Sequence, residues 1–147
     1  VPHPYEFVHD EIGYNYRMPN LNAALGCAQM ERLPEFLTVK AKLAEQWDEF
    51  FTDQGVLFAK ALTKDTSNRW LNAVVLDSKS DRDEFLKYTN EGNVMTRPIW
   101  KLMSELKMYK NCQRDDLANS VWLCDRVVNV PSSIPDGALT TIEAVFK

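Results

Sequence analysis

Glycine is scarce in this chain. There are five in 147 residues, spread from Gly13 to Gly137, and they form no glycine-rich loop. That excludes the phosphate-cradling loops of P-loop and dinucleotide folds. Cysteine is scarcer still. Cys27, Cys112 and Cys124 are an odd number without paired spacing, which excludes a disulfide framework and leads us to expect reduced thiols in a cytoplasmic setting. No stretch approaches the run of about 18 apolar residues that a membrane span needs, and the first residues lack the basic-then-apolar pattern of a secretory leader. A basic excess is also missing. The net charge is -4, the wrong sign for a nucleic-acid partner. His3 and His9 lie near Asp10 and Glu11, but the spacing matches no metal signature, so no metal site is expected.

What remains is 45% hydrophobic and 26% charged residues over a length that suits one domain with a real core. Val1 is not an initiator methionine, and Val1-Pro2-His3-Pro4-Tyr5 reads as loop from the middle of a protein. The chain is therefore expected to be a fragment or a processed product.

The chain is organised around residues 11 to 26. A polar, aromatic loop, Tyr14-Asn15-Tyr16-Arg17, runs into Pro19, whose fixed φ suits a first helical turn. Ala23, Ala24, Leu25, Ala28, Gln29, Met30 and Leu33 then favour helix. Small residues at 23, 24 and 26 to 28 make that helix thin, and we expect it to lie buried against something large. Asn, phenol and guanidinium groups in the loop suit a phosphorylated ligand.

Pro34 should break or kink the helix. From Glu35 to Phe51, Phe36, Val39, Leu43, Trp47 and Phe50 recur at three- and four-residue spacing, an amphipathic helix closed by Gly55. Residues 55–58 and 69–76 read as strands, with a possible hairpin between 56 and 76. The second is apolar enough to be covered on both faces. Ser80 is the expected N-cap of a helix that ends at Gly92-Asn93. Val94–Trp100 is a third strand ended by Pro98, followed by a loop rich in lysine and methionine. Residues 115–124 read as helix with Cys124 in its core, 127–130 as a fourth strand, and 135–146 as a last helix. Strands separated by helices suggest an α/β or α+β domain: a small mixed or antiparallel sheet covered by helices on one side.

Gly13-Tyr14-Asn15-Tyr16-Arg17-Met18, followed by Asn20-Leu21-Asn22-Ala23-Ala24-Leu25-Gly26 and Ala28-Gln29, closely resembles the signature that follows the cofactor lysine in the sugar-nucleotide aminotransferases of the DegT/DnrJ/EryC1/StrS family. Trp70–Leu76, Thr96-Arg97-Pro98-Ile99-Trp100 and Val128-Asn129-Val130-Pro131-Ser132-Ser133 agree with it, the last two with the branch that makes aminated dideoxy sugars. The resemblance covers essentially the whole chain and only the C-terminal part of the family's length. It implies a fold-type I pyridoxal phosphate (PLP) enzyme. Residues 1–33 would be the loop and helix that end the large cofactor domain, and 34–147 the small C-terminal domain.

PLP chemistry needs a lysine for the Schiff base, an acidic partner for the ring nitrogen, and phosphate donors. The resemblance implies that the lysine and the acid lie upstream of this chain, and Lys40, Lys42, Lys60 and Lys64 do not match the lysine. No catalytic residue is therefore assigned, and the chain alone is expected to be inactive. Asn15 is the residue the resemblance carries over first. It would reach across a homodimer to the cofactor phosphate of the neighbouring subunit. Taken alone, its side chain would more often bond turn backbone; the register of the whole motif decides for phosphate. Tyr14 and Tyr16 would line the same pocket or brace the loop. Arg17 would hold a substrate phosphate or pair with Asp10 or Glu11. Arg97 and Trp100 flank Pro98 at a strand end, where they would meet the diphosphate and stack on the sugar or base of the substrate, or else belong to the core. The implied reaction moves an amino group, commonly from glutamate, onto the keto carbon of a nucleotide-linked sugar. The competing reading is a stand-alone, non-catalytic α+β module that holds a ligand or a partner. An exposed apolar surface on residues 19–33 would favour the first.

Overall fold

The computed structural model describes residues 3–15, 17–61 and 67–134. Residues 3–19 carry no helix or strand where they are described. Helix α1 (Asn20–Glu31) follows, with Pro19 as its extended N-cap at ψ 160° and not in its first turn. The helix stops at Arg32, and α2 (Leu33–Asp53) restarts at once with Pro34 in its first turn. The missing Pro N–H costs nothing there, so the expected break is a clean restart. Arg32 clasps Glu35 across the joint, Nε to Oε2 at 3.0 Å and Nη2 to Oε1 at 2.8 Å.

Helix α2 organises the core. Leu43, Ala44, Trp47 and Phe51 form its buried stripe, with Trp47 only 1% exposed. The helix ends in a Schellman motif. The Val56 N–H donates to the Phe51 carbonyl at 2.8 Å and the Gly55 N–H to that of Thr52 at 2.9 Å. This places Gly55 at φ +72°, where a side chain would be strained.

The sheet has strand order β1-β2-β4-β3 (Leu57–Phe58, Asn72–Val75, Val127–Val130, Arg97–Pro98), and every pairing is antiparallel. The pairing of β1 with β2 is the expected hairpin. Val74 and Val128 face each other in register, both fully buried, and join Phe58, Val130, Leu86 and the α2 stripe in one cluster. The expectation that both faces of 69–76 are covered does not hold. Burial alternates along β2, and Trp70 and Leu71 are exposed. The apolar run reflects a one-faced strand preceded by two exposed side chains. Pro98 lies in β3, at the sheet edge, where its missing donor breaks no ladder.

Between β2 and β3 lies α3 (Lys79–Glu91). Its cap is Ser78, two residues before the expected Ser80. Ser78 Oγ accepts from the Asp81 N–H and donates to the Asp81 carboxylate at 2.6 Å, so the cap pairs Ser78 with Asp81. At the other end Asn93 (φ 62°) takes the left-handed position, with the Val94 N–H on the Thr89 carbonyl at 2.8 Å. A buried polar clasp closes this turn: Thr89 and Thr96 share a hydrogen bond of 2.5 Å, and Asn90 Nδ2 donates to the Thr96 carbonyl at 3.1 Å.

The segment 101–110 contains two 3₁₀ turns, Met103–Glu105 and Lys107–Tyr109. Helix α4 (Ala118–Cys124) starts three residues later than expected, because Asp115 and Asp116 accept the N–H groups of Leu117 and Ala118 and hold Leu117 left-handed at φ 55°. No residue of α4 is fully buried, Cys124 included. After β4, Trp47 Nε1 donates to the Pro131 carbonyl at 2.9 Å, Lys40 Nζ donates to the Ser132 carbonyl, and the Asn72 N–H donates to Ser132 Oγ at 2.7 Å. Burial pushes the Lys40 ammonium below its ordinary pKa. The expected helix over 135–146, together with Tyr16 and Lys64, lies outside the described residues.

Helix α1 contrasts with all of this. None of its residues is buried; Leu21 is 81% exposed, and Leu25 and Met30 are also open. The thin helix touches α2 and is not covered by the described residues.

Candidate functional site

Alternation along β4 sends Val128 and Val130 into the core cluster with the α2 stripe and Asn129 into the cleft. Arg97 of β3 is the register partner of Asn129. These two, with Leu71, Trp100 and Phe7 from the N-terminal segment, line a cleft of about 430 Å³. Its far wall is the start of α3 and the end of α4, including Arg82 and Cys124.

The cations of the cleft differ in what they hold. Arg82 is buried and spent on structure: Nε and Nη2 bind Asp83 Oδ1 at 2.9 and 2.5 Å, and Nη1 donates to the Cys124 carbonyl at 2.5 Å. Lys79 faces Asp125 at 3.7 Å and Lys101 faces Glu105 at 4.0 Å. Arg97 lies flat on the Phe7 ring, 4.7 Å from its centroid, with Nη2 3.5 Å from Met95 Sδ. Among the described residues it has no carboxylate partner. Cation–π contact positions a guanidinium without neutralising it, so the edge of Arg97 remains able to bind an anion bidentately. Burial, helped by Glu105, pushes the Cys124 thiol above its ordinary pKa.

The other predicted residues stand apart. Tyr14, Asn15 and Arg17 do not line this cleft. Asn15 Oδ1 accepts from the Arg17 N–H at 3.1 Å, an Asx turn that holds Arg17 at φ 70°. The ordinary turn reading of Asn15 thus holds for its oxygen. Its Nδ2 makes no hydrogen bond among the described residues, so two N–H donors face outward. Arg17 pairs with neither Asp10 nor Glu11, and Tyr14 is 79% exposed.

Sequence reasoning missed Phe7, Arg82, Asn129 and Trp70. Asn129, the polar residue in Val-Val-Asn-Val, was the one legible signal, since alternation in a half-covered strand turns it away from the core. Phe7 sits in a segment without periodicity and gave none. Among the described residues no group of acidic, histidine and cysteine side chains could hold a metal ion, and no helix is long and apolar enough to cross a membrane.

Comparison with known proteins agrees with the fold. The chain is 30% identical over 129 residues to the GDP-perosamine synthase of Vibrio cholerae, covering 84% of this chain and 35% of that protein. It is 30% identical over 88 residues to the GDP-4-keto-6-deoxy-D-mannose 3-dehydratase of Escherichia coli O55:H7, covering 59% and 23%. Helicobacter pylori PseC, an aminotransferase involved in the biosynthesis of pseudoaminic acid, superposes with a TM-score of 0.77 at 17% identity, covering 99% of this chain and 40% of that one. The chain spans about a third of the length of the curated relatives it matches. The DegT/DnrJ/EryC1/StrS aminotransferase family model matches residues 3–146. With the antiparallel sheet and helical layer of a partial fold-type I domain also in place, the chain belongs to the DegT/DnrJ/EryC1/StrS aminotransferase family.

Proposed function

We propose that the full-length gene product containing this chain is a PLP-dependent transaminase. It would move an amino group from an amino acid, glutamate by preference, onto the keto carbon of a nucleotide-linked keto-deoxy sugar for a cell-surface glycan. The donor half-reaction takes up water and yields a 2-oxo acid, the sugar half-reaction releases the keto oxygen as water, and no net water is formed. Residues 34–147 act as the small domain; residues 1–33 belong to the large one.

The observation that carries this reading is Arg97: a guanidinium that has no carboxylate partner among the described residues, laid on Phe7 in a cleft that also presents Trp100. A fixed cation beside an exposed indole matches a diphosphate joined to a ring, the chemistry of a nucleotide sugar. The exposed apolar face of α1, with Leu21, Leu25 and Met30, supports the division at residue 33 and disfavours a self-sufficient module.

Asn15 fits the phosphate end of PLP. Its oxygen is fixed by the Arg17 N–H, which sets the amide orientation and leaves Nδ2 as a neutral donor. In a homodimer this loop serves the neighbour's cofactor, with Tyr14 and Arg17 beside it. The two lysines that line the cleft do not fit the aldehyde end: Lys79 faces Asp125 and Lys101 faces Glu105. When bound, PLP supplies the electron sink for transamination. This chain's part is to hold its phosphate and to bind and orient the sugar nucleotide.

The test is to incubate the full-length product with PLP, L-glutamate and a GDP-linked 4-keto-6-deoxy sugar, and to follow the sugar and the 2-oxo acid by mass spectrometry. Amino sugar and 2-oxoglutarate in equal amounts are expected. Loss of water from the sugar without a retained nitrogen would overturn the transaminase reading.

A further inference from the structure

The reading above uses Trp100 and leaves a second exposed indole unexplained. Trp47 is core and Trp122 lies under Arg126, 4.8 Å from its guanidinium. Trp70 has neither excuse. It is 68% exposed, Trp100 is 60% exposed, and their ring centroids lie 6.1 Å apart with planes tilted by 35°. Contiguous exposed apolar surface of this kind marks interaction sites and ligand-binding grooves.

The backbone holds Trp70 in this position. Asn68 Oδ1 accepts the Trp70 N–H at 3.0 Å, and Arg69 adopts the left-handed conformation at φ 52°. The chain is thus turned just before β2, and Trp70 stands outside the sheet beside Trp100 while its neighbour Leu71 lines the cleft. One indole precedes β2 and the other follows β3, and they meet at the rim of the cleft that holds Arg97.

From this juxtaposition we infer that Trp70 and Trp100 form a clamp that takes the nucleobase of the nucleotide sugar, with Trp70 as a base-binding residue. The inference rests on the nucleotide-sugar reading and deepens it. A flat ring between two others needs roughly 7 Å, twice the closest carbon–carbon approach of about 3.5 Å. Centroids at 6.1 Å with tilted planes admit such a ring after an opening of about 1 Å. A puckered pyranose is thicker and fits this gap less well. Arg97, inside the cleft, then meets the diphosphate that follows the base.

The experiment uses the full-length gene product and calorimetric titration with GDP, UDP, mannose 1-phosphate and inorganic pyrophosphate. In Trp70→Ala the dissociation constants for GDP and UDP should rise about tenfold, while that for pyrophosphate stays put. Trp70→Phe keeps a flat face and should lose about threefold or less. Trp70 is too exposed for either change to threaten the fold. Unchanged GDP and UDP affinity in Trp70→Ala, with affinity lost in Arg97→Ala, would overturn the clamp and leave the nucleotide-sugar reading standing. Equal weakening of mannose 1-phosphate would assign Trp70 to the sugar and overturn the base assignment. Wild-type protein that binds neither nucleotide would overturn both.

Discussion

Residues 34–134 and residues 3–31 follow opposite rules. The first region buries one contiguous apolar cluster and gathers polar and aromatic groups at one cleft. The second buries nothing in its helix and carries its polar groups on an open loop. In the domain, α2 and the sheet supply each other's apolar partners; Trp47 alone touches strand and helix neighbours and caps the Pro131 carbonyl. In the arm, Leu21, Leu25 and Met30 have no such partners among the described residues. With the proposed division at residue 33, the domain would be shaped by its own folding, and the arm by what it meets.

Substitutions can sharpen or break that contrast. The largest effect is expected at Trp47. Trp47→Ala should cost about 3–5 kcal/mol in denaturant unfolding, because it opens the core and orphans the Pro131 carbonyl. Leu21→Ala and Leu25→Ala should each stay within about 0.5 kcal/mol on the chain alone. A large loss at Leu21 would mean that the arm packs after all. Next comes the buried clasp. Thr96→Val removes one partner from Thr89 Oγ1, which keeps the Phe85 carbonyl, and one from Asn90 Nδ2, which keeps the Leu86 and Thr96 carbonyls; it should cost about 1 kcal/mol, measured in the same way.

The smallest effect lies at the joint between the regions. The hydrogen bond from Arg32 holds the Glu35 carboxyl below the usual carboxylate range. A depressed acid stabilises the folded state above its unfolded pKa and loses that contribution as pH falls through the folded value. The Arg32–Glu35 contribution should therefore be complete near neutrality and vanish on acidification below the ordinary glutamate range, and it should be slight because both groups are exposed. Arg32→Ala should move the Glu35 carboxyl titration, followed by NMR, up to the ordinary value. An unmoved titration would show that the clasp does not form in solution.

Much of the domain was legible in the sequence, and the reasons are local. Phe36 to Phe50 showed its helix because apolar spacing of three and four residues has one solution. Gly55 and Asn93 marked helix ends because few other residues adopt left-handed backbone cheaply. The cap at Ser78 was missed because two serines lie two residues apart, and only the backbone path decides which meets the helix. The two-sided burial of β2 was over-read because an exposed Trp and a core Trp look alike in a string of letters. Arg97 and Trp100 could be singled out from their place at a strand end. Phe7, Asn129 and Trp70 come to the same cleft from distant parts of the chain, and no local pattern announces a meeting of that kind. Asn15 was legible only through its motif; the structure adds that its oxygen is occupied and its amide nitrogen is open.

The central claim is that the arm serves the cofactor and the cleft serves the substrate. The most direct measurement takes the full-length product as wild type, Asn15→Ala and Arg97→Ala, and determines for each the PLP dissociation constant and the nucleotide-sugar KM. Asn15→Ala should weaken PLP by roughly tenfold or more, the worth of a hydrogen bond to a charged group, and leave the KM nearly unchanged. Arg97→Ala should raise the KM by a similar factor and leave PLP affinity intact. PLP affinity untouched by Asn15→Ala, or lost in Arg97→Ala with an unaltered KM, would contradict the account.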